Sequence, residues 1–568
     1  MYRPLKLFLL ACISIALVGC ATYGQDVRQG LELTKQGQYT QAAEVFEKSL
    51  NPKGDDRLLY YTELGMVYHL AGDYKKSNQL LETAERISED LYTQRVSDML
   101  TTAMSNPRQG PYRAANFERV FINYYKALNY LMIAHGHDDA KAKDRALEGA
   151  RVESRRIDMI LSDIETQKGN YQEQADKEKS MFSKLMRIFD KLTGEIIDRN
   201  KIVYRNDAFG HYLAGMIYEQ HREYDDARVA YQKSASLYEN GYQEQYGLKK
   251  EITEQGWFDT IRMMQKAGGW GNEWPKLSRT KLSKDKRQQL KDFESMGHLV
   301  VLEHTGMVPE RDEMNMYLTA DPNTRQVVMH PILTGDPRRQ LDQRFWFYAL
   351  YADKGITDLM SAIYENRVIP ALMQYSMVKR EYLGPLWGVA DKLGLVEVMK
   401  SGMRITVPYY RVTSYQGAGE SSINVSGNDY PLVVGQSVAH MAVQQQLLDA
   451  SSDIQEAMAR AAFKNLTAHQ AASLGGDAGA VLGFLGKIAA NASSAAETRN
   501  WLLLPDQIKV TRIPLAPGTH TVTLTSEPVK GQKKTTTQQV EVKAGEMSVW
   551  KVRTFPAQNT QNFKQLGI

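Results

Sequence analysis

Gly65-Met-Val-Tyr-His-Leu-Ala-Gly72-Asp-Tyr74-Lys-Lys-Ser77-Asn-Gln-Leu-Leu81 decides how the first half of this chain is built. Its landmark residues repeat a pattern already present as Gly30, Gly37, Tyr39, Ala42 and Phe46. The spacing is close to that of a helix–turn–helix unit of about 34 residues. A third copy stands at Ala214-Gly215, Tyr218, Tyr224, Ala227 and Tyr231. A single match of this kind is weak; three aligned copies define a helical repeat.

These copies resemble tetratricopeptide repeats, and the residues have a physical reason to be there. Gly30, Gly65 and Gly215 let the two helices of a repeat approach closely. Tyr39, Tyr74 and Tyr224 fill the space beside the turn, and Ala42 and Ala227 keep the second helix near its partner. In repeats of this kind Thr62, Met66 and His69 face the groove, so the resemblance implies them as partner contacts. Isolated repeats cannot bury their own faces. The helical stretch Phe117 to Leu131, with its aromatic face, is therefore expected to complete the core rather than form a ligand box, followed by Ala150 to Arg156 and a charged helical run to about Asn200.

Beyond residue 242 the composition changes. Trp257, Trp270 and Trp274 among Gly and Pro, then a basic stretch from Lys276 to Lys291, read as a linker or irregular crossing. Strand patterns begin at His298-Leu-Val-Val-Leu-Glu303 and continue through Thr305 to Pro309 and Met403 to Tyr410. Phe345 to Tyr348 and Ile363 to Met373 suit helices, as do residues 435–470. From Ile508 the chain alternates as β-structure with a Pro517-Gly518 turn. The expected fold is multidomain: an N-terminal all-α, tetratricopeptide-like repeat region followed by an α+β region ending in a small β module. Its boundaries are 1–19 for a signal peptide, 20–241 for the repeats, 242–296 for the linker, 297–500 for the α+β domain and 501–568 for the β module.

The first residues carry an address. Arg3 and Lys6 precede an uncharged run from Leu7 to Val18, too short for a permanent membrane helix. Leu17-Val18-Gly19-Cys20 follows as a lipobox, so Cys20 is expected to be cleaved at and lipidated. Ala21 and Thr22 lack the aspartate that resembles an inner-membrane retention signal, which favours the outer membrane. Several acyl chains together anchor firmly, where one holds marginally. Cys12 lies in the removed segment, so the mature chain has no free thiol for a disulfide, a thiolate metal site or a cysteine nucleophile.

Lys and Arg number 70 against 66 acids, a formal net charge of +4, and no basic block stands out, which argues against nucleic acid as a main partner. His135-Gly-His137-Asp-Asp139 is the local cluster with metal-ligand chemistry, yet it reads as a solvated turn between helices. Gly486-Lys487 lacks the Walker pattern, because position 481 is Val and Ile488 replaces the Mg²⁺-binding hydroxyl. Gly417-Ala-Gly419 has no dinucleotide frame, and no Gly-x-Ser-x-Gly elbow is present. Residues 475–496, rich in Gly and Ala, read as a buried or interfacial helix rather than a membrane-inserting one. No catalytic residue, metal or cofactor is expected.

The lipobox, the repeats, Phe117–Leu131 with Ala150–Arg156, Gly306 with Pro309, Ile405–Pro408, Glu497–Trp501 through Leu504-Pro505, Arg512 and Pro517-Gly518 are similar to a family of tetratricopeptide-repeat-bearing outer-membrane lipoproteins of Gram-negative bacteria. The resemblance spans nearly the whole mature chain, and its motifs carry no assigned chemistry. It implies a non-enzymatic, periplasm-facing scaffold in cell-envelope assembly that meets other envelope proteins through its repeat groove and the membrane through its lipid. Gene neighbourhoods of such proteins associate them with small outer-membrane lipoproteins similar to activators of penicillin-binding proteins, so a regulator of peptidoglycan synthases is one alternative; a structural subunit of an envelope complex is another. A cell-wall hydrolase is a further alternative, with no motif in its favour.

Overall fold

The computed structural model describes residues 23–97, 107–175, 206–292, 295–351, 378–392, 394–411, 419–465, 495–527 and 533–555. A helical N-terminal region is followed by a sheet-rich C-terminal region with several small sheets. The helices come as hairpins: α1 Arg28–Lys35 with α2 Tyr39–Ser49, and α3 Arg57–Ala71 with α4 Tyr74–Ser97. Next come α5 Asn116–His135 with α6 Ala140–Ala175, and α7 Ala208–Gln220 with α8 Tyr224–Leu237. Neighbours along the chain pack together, the arrangement of a stacked repeat. The turn glycines have the left-handed backbone such turns need, with φ +76° at Gly37 and +83° at Gly72.

The repeat signature has a direct spatial meaning. A methyl group added at Gly30, Gly65 or Gly215 would lie 2.9 Å from Phe46, 2.8 Å from Leu81 or 2.6 Å from Tyr231. In each case the opposing side chain is the last landmark of the same copy. Between α5 and α6 the roles reverse, with Gly149 of the second helix lying under the Tyr130 ring of the first. Phe117, Phe121, Tyr124 and Tyr125 are buried, so the aromatic face of α5 is core.

Residues 242–296 differ from the expected linker. Helix α9, Lys250–Ala267, continues the stack against α8, with Gly256 over Ala235, and α10 Trp274–Lys281 and α11 Lys284–Asp292 follow. Of the tryptophans that suggested an irregular crossing, Trp257 lies in a separate small core with Phe258, Ile261, Ala235, Leu282 and Leu290, and Trp274 packs against it.

Strand β1, Gly297–Thr305, organises the sheets. It pairs parallel with β12, Met547–Thr554, and antiparallel with β9, Gln507–Leu515, which also pairs with β8, Val433–Ser437. This first sheet has the order β12-β1-β9-β8. The second sheet is β11-β10-β6-β7, from Lys534–Val542, Gly518–Ser526, Ser421–Val425 and Asn428–Pro431. The third is β4-β3-β2-β5, from Lys379–Tyr382, Gln326–Ile332, Arg311–Asp321 and Met403–Tyr410. Helix α12, Pro337–Tyr351, contacts β3 and β5, and α13, Val438–Asn465, packs on β5. Ile363–Met373 lies outside the described residues.

Two expectations are corrected here. The described strands within 501–568 do not form a separate module: β9 and β12 complete a sheet with β1 and β8, while β10 and β11 complete one with β6 and β7. The edges of β1 and β6 carry backbone donors and acceptors that need partners, and the C-terminal strands supply them. The strand pattern at Thr305–Pro309 ends at Thr305, because Gly306 turns at φ +60° and Val308 N–H donates to Leu504 O.

Alternation along the first sheet sends successive side chains to opposite faces. Val300, Leu302, Ile508, Val510 and Met547 join the core of the helices. Leu299, Val301, Ile513, Leu515 and Trp550 face Ile423, Val522 and Leu524 of the second sheet. The first sheet is thus the middle layer between helices and second sheet.

Candidate interaction site on the helical repeats

Strand β12 lies across the helical hairpins, about 3.3 Å per residue. Lys551 Nζ sits 3.1 Å from His69 Nε2 in α3 and 4.9 Å from the Tyr74 ring. Further back along the strand, Gln220 Nε2 at the end of α7 donates to Met547 O. Arg222 Nη2 lies 3.4 Å from a Glu546 oxygen, and Lys266 Nζ donates to Gly545 O at 3.2 Å. The strand therefore touches successive hairpins in turn.

This placement changes the reading of Thr62, Met66 and His69. They are 2 %, 0 % and 2 % exposed, inside the molecule rather than on an open groove. Thr62 Oγ1 donates to Leu59 O at 3.3 Å. His69 Nδ1 lies 2.5 Å from Asn129 Oδ1, and the Asn129 amide donates to Ser77 Oγ and Asn78 Oδ1, both at 2.8 Å. Ser77 in turn donates to Gly65 O at 2.7 Å, so the small residue of the repeat also closes a hydrogen-bond chain. Burial and the nearby Lys551 hold the His69 imidazole well below its usual range. The groove row is buried inside the chain's own fold, with β12 lying against its His69 end.

A second self-contact is the segment Ala496 to Asp506. Glu63 of α3 accepts Leu502 N–H at 2.8 Å on one oxygen and Leu503 N–H at 3.2 Å on the other, with Tyr23 OH donating at 3.1 Å. Glu118 of α5 accepts Trp501 N–H at 2.9 Å, together with Tyr112 OH and Ala115 N–H. Arg499 donates to Asp56 Oδ1 at 2.9 Å, to Pro107 O at 2.8 Å, to Gly110 O at 2.9 Å and to Glu497. Trp501, Leu502, Leu503 and Leu504 are buried. The repeats thus hold a peptide backbone through carboxylates, and the peptide is their own. Burial pushes the Glu63 carboxyl up to about 8 against the lowering effect of the two backbone donors, and raises Glu118 as well.

Buried charges lock the remaining contacts. Arg512 of β9 and Arg262 of α9 share Glu219 and Asp259, with Nη2 of Arg512 2.9 Å and that of Arg262 2.6 Å from Glu219 Oε2. Burial alone would raise Glu219, but the two guanidiniums hold it well below the usual carboxylate range. Tyr231 OH donates to Glu219 and Tyr212 OH to Asp259. Within the repeats, Lys126 is surrounded by Glu82, Glu85 and Glu153, and Arg156 pairs with the same three carboxylates. Sequence reasoning missed Glu63, Glu118, Arg499 and Lys551; its available signal was Glu63 inside the apolar run Leu58 to Val67, since a charge on a core-facing helix row needs a partner.

Cys20 and Lys487 lie outside the described residues, as do Gly417 and most of 475–496. His135 and His137 stand at the α5–α6 turn, where Gln220 Nε2 is 3.4 Å from His135 Nε2. Among the described residues no group of three or more His, Cys, Asp or Glu side chains is placed to hold a metal ion. His304 follows Glu303 on β1 and contacts Tyr124 OH at 3.0 Å. A cleft between α5, α6 and α13, lined by Phe117, Asp207 and Gln444 among others, has a volume of about 30 Å³, room for a water or two. No helix among the described residues is long and apolar enough to cross a membrane.

No family model matches the chain, and no curated protein does. Among solved structures, BtubC (BKLC) from P. vanneervenii is similar at 14% identity and a TM-score of 0.26, over 47% of this chain and 79% of that one. A thermophilic TPR protein of Thermus thermophilus is similar at 14% identity and a TM-score of 0.22, over 47% of this chain and 96% of that one.

Proposed function

We propose that this chain is a non-enzymatic scaffold of the bacterial cell envelope, anchored to the outer membrane by lipid on Cys20 and facing the periplasm, where it meets other envelope proteins. The anchor rests on the lipobox Leu17 to Cys20. The observation that supports a scaffold is the self-filled repeat face: Glu63 and Glu118 hold Trp501, Leu502 and Leu503, which joins helices and sheets into one body. Partners then meet the outside of that body, not the row Thr62, Met66 and His69.

Metabolic labelling with an acyl analogue tests the anchor. Label is expected on the wild-type protein and absent from Cys20→Ala; label retained in the variant overturns it. Purified protein incubated with sacculi is expected to release no soluble fragments, and release abolished by a single polar substitution would reinstate a hydrolase.

A further inference from the structure

The helix-facing side of the first sheet carries His304 on β1, Arg512 on β9 and Lys551 on β12, placed by their contacts with Tyr124, Glu219 and His69. Arg553, two residues beyond Lys551, shares its face, because side chains alternate along a strand. The cations at the two ends of this surface are treated differently. Arg512, with Arg262, is matched by two carboxylates, Glu219 and Asp259. Lys551 and Arg553 have no carboxylate at ion-pair distance among the described residues. Lys551 Nζ donates to His69 Nε2 at 3.1 Å and His69 O at 3.3 Å, leaving one of its three N–H groups over. Arg553 Nη2 donates to Gly306 O at 2.6 Å and Leu503 O at 3.0 Å. Its Nε and Nη1 are buried and form no ion pair among the described residues, and the neutral Tyr125 hydroxyl is the side-chain group that interacts with the guanidinium.

Two like charges at i and i+2 of one strand face stand roughly 6.6 Å apart along the strand. Removing them from water without a counter-charge is costly, and buried N–H groups are nearly always paired. Their surroundings supply rings rather than anions: Tyr74 beside Lys551, and Tyr125, with its hydroxyl near Arg553. Asp506 is the acid whose charge reaches the Arg553 guanidinium.

We propose that Lys551 and Arg553 form an oxyanion site that takes a phosphate group, at the edge of the first sheet where β12 meets the second helical repeat. Arg supplies a planar set of donors suited to a phosphate, and Lys a point charge beside it. A missing counter-charge also agrees with the Lys551 amine, which burial and then the neighbouring guanidinium push down to about 7. The phosphate is either a soluble group or a phospholipid headgroup; the chemistry at the site is the same. This site does not depend on the scaffold reading.

The test is titration of the full mature chain with inorganic phosphate at fixed ionic strength, read by calorimetry and by the midpoint of thermal unfolding, with sodium chloride as control. Saturable binding and a raised midpoint are expected with phosphate and not with chloride. Lys551→Gln and Arg553→Gln should each weaken the apparent affinity at least tenfold, and Lys551→Arg should keep it. If Arg553→Gln does not fold, the comparison of Lys551→Gln with Lys551→Arg carries the test, because both remove the amine and only one restores a cation. Equal responses to phosphate and chloride, or undiminished phosphate binding in Lys551→Gln, overturn the site. Phosphatidylglycerol vesicles that compete with inorganic phosphate identify a headgroup as the source. Vesicles that leave the titration unchanged identify a soluble phosphate, and both results support the site.

Discussion

Gly65 and Gly215 hold the same position in two repeats, yet what opposes them differs. Gly65 faces Cδ2 and Cγ of Leu81, on a side chain that no hydrogen bond pins in place. Gly215 faces the ring of Tyr231, whose hydroxyl donates to Glu219 at 2.9 Å and accepts from Arg512 at 3.0 Å, so the ring is pinned. Gly65→Ala is therefore expected to be nearly neutral in thermal unfolding, while Gly65→Leu and Gly215→Ala each destabilise by about 1–3 kcal/mol through overpacking. If Gly65→Leu melts with the wild type, that glycine is not at a tight crossing. If Gly215→Ala is as mild as Gly65→Ala, the Tyr231 ring is not held by its hydrogen bonds.

Helix α3 meets the segment after α13 through one carboxyl group, and that element contact should show in its pH dependence. The folded protein keeps the Glu63 proton up to about pH 8, where an ordinary glutamate near 4.5 has released it. Between those values the native state binds one proton more than the unfolded chain. Glu63's contribution is thus fully present below about pH 4.5 and falls as the pH rises to about 8. Glu63→Gln has no titrating group there, and its amide N–H₂ faces one of the two backbone donors. The variant should be less stable by about 1–3 kcal/mol in mild acid. The gap should narrow as pH rises from about 4.5 to about 8 in denaturant titrations, and a gap constant with pH contradicts the proton held at Glu63.

For the molecule as a whole, one continuous core runs from Tyr23 in the first helical turn to Met547 in the last strand. Met66 is part of this core and His69 is buried against its Tyr125, so charged substitutions there should unfold the protein and not merely weaken a contact. A shared core also implies shared stability. Unfolding by urea, followed by far-ultraviolet circular dichroism for the helices and by the fluorescence of a variant that keeps only Trp501 and Trp550 for the sheets, is expected to give coincident transitions. Separate midpoints would show that helices and sheets fold independently.

Local pattern alone determined the helical hairpins, because the glycine and its opposing Phe46, Leu81 or Tyr231 lie within one repeat. It also determined half of the twelve described strands: β1 and β5 as apolar runs, and β9 to β12 by alternation, while β2–β4 and β6–β8 were legible only in the folded chain. Residues 250–267 escaped because tryptophan, glycine and proline around them masked an ordinary helix. Only the tertiary structure decided that β1 pairs with strands some two hundred residues away and that residues 501–503 fill the repeats. It likewise decided that Thr62, Met66 and His69 are covered. A period shows which face of an element is apolar; what covers that face depends on competition among all the surfaces and charges of the chain, which no local window contains.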